Sequence, residues 1–148
     1  MSLIEEQCRN VLVSIDTSGG ASAEEITKAE QALGIVFPAG YRKFLERYGA
    51  AMGAGYEIAG VFALNDDEPP MWRDIVGATN QIRRVTGSNI ASTLLPISSD
   101  GASVTYYLDV RDRERSPVVA YAPGVDGKRV AESFEEFVVK LSNGDLEV

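Results

Sequence analysis

Asp100 and Asp109 are the residues of this sequence best spaced for chemistry. Two acids across a cleft are what glycoside hydrolysis needs, one as proton donor and one as base or nucleophile. Yet Asp100 heads an Asp-Gly turn, and Asp109 closes a run of alternating apolar residues. Acids occupy both kinds of position for backbone reasons, so the pair reads first as structural and a hydrolase as the outlying alternative. A second acidic group points to binding. Asp66, Asp67 and Glu68 fill a proline-terminated loop just before Trp72, the single tryptophan, and Glu57 precedes them. Aromatics flanked by charge are enriched at protein-binding hot spots. The same acids would also suit the N-terminal partial charge of a following helix, and a tryptophan also suits a core. The residues expected to touch a partner are Glu57, Asp66, Asp67, Glu68, Trp72 and Asp100.

What is missing excludes more. The 148 residues contain no histidine and one cysteine, Cys8. That removes the commonest general base, the Ser-His and Cys-His nucleophile pairs, and the usual zinc ligands. No catalytic residue, metal or cofactor is expected. Cys8 lies on an apolar stripe with only Arg9 beside it, which suits a small buried hydrophobe better than a reactive thiol. Gly19-Gly20 is not a phosphate loop, because no Gly-Lys-Ser/Thr follows, and Gly53 and Gly55 carry no lysine either. A lone cysteine forms no internal disulfide, and neither a secretory leader nor a membrane span is legible, so a cytoplasmic protein is expected. The net charge of −8 disfavours phosphate backbones and favours a basic protein partner, besides serving solubility.

The elements that would position these residues start with a helical corner at Ser22–Ala50. Ser22 with Glu25 spells a capping box, and Ile26, Ala29 and Leu33 recur at helical spacing up to Gly34. Pro38 opens a second helix with Tyr41, Phe44, Leu45 and Tyr48 inside, closed by Gly49. Residues 3–15 predict an earlier helix, followed by a turn-rich link at 16–21. Residues 50–55 read as a flexible loop, and Glu57–Ala63 as a strand bent at Gly60. Trp72, Ile75, Val76, Thr79 and Ile82 predict a helix ending at Gly87. Leu95 and Ile97, then Val104, Tyr106 and Leu108, predict a hairpin with one buried face around Asp100-Gly101. Pro117–Tyr121 reads as a strand, Pro123–Gly127 as a turn, and Arg129–Ala131 as a short last strand. Ser133 with Glu136 spells a second capping box for a closing helix lined by Phe134, Phe137, Val138 and Leu141. The expected fold is one α+β domain over residues 1–148. Its antiparallel sheet has about four to six strands, with N-terminal helices and a C-terminal helix packed against it.

Three strings in this order resemble the SUKH superfamily, the Smi/Knr-like domains of bacterial immunity proteins and fungal cell-wall regulators. The first is Glu30, Leu33, Gly34, Phe37, Pro38, Tyr41, Arg42, Phe44, Leu45 and Gly49. The second is Leu95, Pro96, Ile97, Asp100, Gly101, Tyr106, Leu108 and Asp109. The third is Ala131, Ser133, Phe134, Phe137 and Val138. One departure is Ala102-Ser103-Val104, where relatives often carry another glycine. The resemblance covers about Ala23 to Leu141 and rests on structural positions, so it implies a fold more firmly than an activity. It implies a non-enzymatic protein-binding domain, first an immunity protein neutralising a bacterial toxin such as a nuclease. A regulatory module of the cell-wall type is the alternative.

Overall fold

A computed structural model describes residues 2–63, 72–86 and 92–148. Ser2 caps α1 (Leu3–Leu12), which buries Cys8 and Leu12 on one stripe. The chain then enters β1 (Asp16–Thr17), where a turn-rich link was expected. Two-residue strands carry no periodicity to read, and this one exists through its partner β2 (Ala51–Gly53). The corner between them forms as its spacing predicts. Ser22 and Glu25 make both bonds of the capping box at the head of α2 (Ala23–Leu33), and Gly34 ends it in the left-handed conformation. Pro38 sits at the N-cap, one place earlier than expected, of α3 (Ala39–Arg47).

Of residues 50–55, expected to be flexible, Ala51–Gly53 instead form β2, which pairs with β3 (Tyr56–Ile58), and Ala54-Gly55 make the turn between them. The Ser18 hydroxyl accepts from Ala50 N–H at 2.8 Å, and Ala50 and Ala51 are buried. Small apolar residues read as loop, but here Ala50 and Ala51 are core residues, and Gly49 before them is crowded by the backbone of Gly19 and Val61. The strand expected over Glu57–Ala63 stops at Ile58, and Gly60 pairs in parallel with Asp74 instead. The helix expected from Trp72 begins later, as α4 (Ile75–Thr86). Its cap is Asp74, whose two carboxylate oxygens accept from Val76 and Gly77. The expected helix end at Gly87 lies outside the described residues.

β4 (Leu94–Ser99), β5 (Thr105–Asp109), β6 (Val118–Ala122) and β7 (Val125–Ala131) follow as an antiparallel sheet in that order. The architecture is therefore α+β, with the strands divided into a three-stranded and a four-stranded antiparallel sheet. The hairpin is not half-exposed as expected. Tyr106 and Leu108 enter the core, but Tyr107 and Asp109 on the opposite face are buried too. Tyr107 meets Tyr121 edge-on at 5.4 Å. Asp109 receives two bonds from the Arg111 guanidinium, at 3.1 and 2.8 Å. That fork and the Arg111 backbone N–H hold its carboxyl below the usual carboxylate range against the opposing effect of burial. The turn expected over Pro123–Gly127 shrinks to Pro123-Gly124, since Ala122 already pairs with Val125 and β7 is correspondingly longer. Ser133 caps α5 (Phe134–Asn143), but its box is only half made. Glu136 Oε1 faces the Glu132 N–H at 3.4 Å rather than that of Ser133.

The core lies between α3, α5 and the sheets. Tyr41 sits at its centre, stacked on Phe44 at 5.8 Å and edge-on to Phe37 and Phe134 at 5.4 and 5.3 Å. Its hydroxyl donates to Ala59 O at 2.6 Å. Ala59 N–H in turn donates to Ile97 O at 2.8 Å, and Ser98 Oγ to Glu57 O at 2.7 Å. Residues 57–60 therefore bridge the two sheets.

Three outcomes test this account. Tyr41→Phe strips the Ala59 carbonyl of a buried donor, and urea denaturation should show a loss of about 1–3 kcal/mol with little change in slope. Gly60→Ala should be worse than an ordinary surface alanine. The new Cβ overlaps Gly49 O, a backbone atom, and relief requires moving the joint itself, at about 1–3 kcal/mol or more. For Asp109→Asn the sign follows from the depressed pKa. The ionised carboxyl contributes stability above its unfolded value of about 3.9, and that contribution fades as pH falls through the lower folded value. The variant should be less stable than the parent at neutral pH, by no more than about 1 kcal/mol because Arg111 is largely exposed. The gap should close in acid.

Candidate functional site

Glu57 lies mid-strand in β3 with its side chain outward. Its Oε1 is 3.8 Å from Arg73 Nη1, both side chains being about one-third exposed at 38% and 36%. It is thus a paired carboxylate, a relation that its distance from Arg73 in sequence hides. Ser98 binds the Glu57 carbonyl, so Asp100, two residues further along the same chain, emerges beside the same strand. Asp100 Oδ1 accepts from Ala102 and Val104 at 2.9 and 3.0 Å, and these backbone bonds, Ala102 first, lower its pKa. The group stays ionised and exposed while shaping its own turn. Trp72 is half-buried, neither a core tryptophan nor a free one. It is positioned by its neighbour Arg73, whose carbonyl accepts from Gly60 N–H at 3.0 Å.

Glu57 thus lies on the bridge between the sheets, Trp72 adjoins Arg73, which is bonded to that bridge, and Asp100 follows the strand bonded to it. Asp66, Asp67 and Glu68 lie outside the described residues, between Ala63 and Trp72 in the sequence. Charge is concentrated there. Residues 57–74 hold five acids and one base, a net of −4 and so half of the −8 of the whole chain. The remaining 130 residues share the other half.

Asp100 and Asp109 do not converge. β5 runs between their ends, about 13 Å of extended backbone, against the roughly 5–9.5 Å separating glycosidase carboxylates. Asp109 is moreover turned to Arg111. Among the described residues no group of three or more His, Cys, Asp or Glu side chains is disposed to hold a metal. No helix among them is long and apolar enough to cross a membrane.

Sequence reasoning missed a second concave feature. α1, α3 and α5 enclose a cleft lined by Arg9, Lys43, Arg47 and Glu135 among others, with Cys8 at its floor. Burial, then Glu135 and Glu5, push the Cys8 thiol up to about 12, so it is a protonated, buried group as its apolar stripe suggests. Nothing in a single sequence signals that three helices so far apart share these charges.

No curated protein matches the chain. A family described as SUKH_5, SMI1-KNR4 cell-wall, matches residues 2–142, and that match suggests an immunity or cell-wall-related protein-interaction domain. The corner, the bridge and the sheet they join all fall within those limits, and the chain belongs to this SMI1-KNR4 family.

Proposed function

We propose that this domain is a non-enzymatic, cytoplasmic immunity protein that neutralises a cognate toxin by covering a basic surface, such as a nuclease's substrate cleft. The observation that carries this reading is the charge concentration in the sequence at 57–74, whose first acid, Glu57, lies on the bridge and is bonded through its carbonyl to the strand that leads to Asp100. A surface built to attract phosphate attracts clustered carboxylates for the same reason, and clustering speeds encounter more than dispersed charge does. Glu57, Asp66, Asp67, Glu68 and Asp100 supply the field, and half-buried Trp72 an aromatic anchor.

The family's cell-wall description favours a second reading, a housekeeping module that binds a regulatory partner. Gene neighbourhood separates the two, because an immunity gene adjoins its toxin gene.

The decisive experiment co-expresses this chain with the toxin domain encoded beside it. Rescued growth and a co-purifying complex are expected, and no rescue with no complex refutes the immunity reading. Replacing Asp66, Asp67 and Glu68 together by their amides should slow association about tenfold or more at low salt, with a much smaller effect on dissociation. Parent association should slow as ionic strength rises and the Debye length shrinks toward about 8 Å. An on-rate indifferent to both changes would falsify the steering argument.

A further inference from the structure

The cleft between α1, α3 and α5 shares no residue with the acidic bridge, and its volume is ≈ 230 Å³. Its floor is apolar, made by buried Cys8, Phe44 and Phe134. Charge is graded along its length. At one end Glu135 packs directly on Gly40, where a Cβ would overlap the carboxylate. Lys43 and Arg47 follow about one and two turns further along α3, so the wall changes sign over about 10 Å. Across the cleft, α1 contributes Glu5 and Arg9.

These charges have not neutralised one another. Seven ion pairs form within 4.0 Å among the described residues, and none of them involves Glu5, Arg9, Lys43, Arg47 or Glu135. Opposite charges held apart over an apolar floor complement a ligand that carries both signs and an apolar body between. The volume falls below the roughly 300–1,000 Å³ of drug-sized sites, which restricts the occupant to a few residues at most.

We propose that this cleft binds a short peptide with free termini, about a dipeptide in size. Its ammonium group faces Glu135 and Glu5, and its carboxylate faces Lys43 and Arg47. An apolar side chain lies on Phe44 and Phe134. The protonated Cys8 takes no covalent part, so the peptide leaves unchanged.

The test titrates the isotope-labelled protein with the dipeptide Ala-Leu and follows backbone amide signals by NMR. Saturable shifts are expected at Cys8, Phe44 and Phe134. N-acetylation or C-terminal amidation of the dipeptide should each weaken binding about tenfold or more, since each removes one charge. Glu135→Gln should mimic the first loss, and Lys43→Ala with Arg47→Ala the second, while Asp126→Asn, exposed on β7 and outside the cleft, should leave dipeptide binding unchanged. Absence of saturable shifts at millimolar dipeptide, or equal binding of the capped forms, overturns the proposal. The capped peptides test it on the unaltered protein, so a variant that folds poorly does not shield it. Either result is independent of toxin rescue, which reads the other face.

Discussion

The Tyr41 hydroxyl donates to a carbonyl in a segment that is neither helix nor strand, and the molecule is assembled around that bond. Ala59 belongs to no named element, yet its carbonyl faces α3 and its N–H faces β4. One residue therefore ties the helical corner to both sheets. Its backbone groups, buried beneath aromatic rings, would be costly to leave unpaired. The close approach of Gly60 to Gly49 is the steric half of the same joint, since the segment reaches both partners only where no side chain intervenes. The aromatic cluster of Phe37, Tyr41, Phe44 and Phe134 excludes water from the bond and locks the tyrosine that makes it.

Elements with their own local determinants were legible in the sequence. Ser22 with Glu25 and the left-handed Gly34 bracket α2 almost to the residue, because caps and apolar spacing are read within one segment. The same holds for Ser133 and Gly144 around α5. Features that depend on distant partners were not legible. β1 has two residues and exists only against β2. The burial of Tyr107 and Asp109 depends on Tyr121 and Arg111, which fold back over a sheet face that alternation alone marks as exposed. Gly49 and Gly53 read as slack, when the first is crowded by the backbone of Gly19 and Val61 and the second by the Tyr56 ring.

The binding surface divides along the same line. That Glu57 and Asp100 share a neighbourhood could not be read from their 43-residue separation, and it follows from the Ser98 hydroxyl bond. That Glu57 pairs with Arg73 was equally invisible, and an exposed pair of this kind weakens the field that Glu57 alone would present. The charge concentration at 57–74, in contrast, is a property of composition alone.

Everything that fixes the bridge points inward: the Tyr41 hydroxyl, the Ile97 carbonyl and the Gly49–Gly60 contact. The Glu57 side chain, by contrast, is partly exposed from the same few residues. A substitution at Glu57 alters the field without touching the backbone bonds that hold the bridge. Residues at the joint, in turn, are constrained whatever the partner is. Of the proposed contact residues Asp100 alone belongs to the motifs that mark the fold, where it also shapes its own turn; the others stand outside those motifs, which therefore say little about a target.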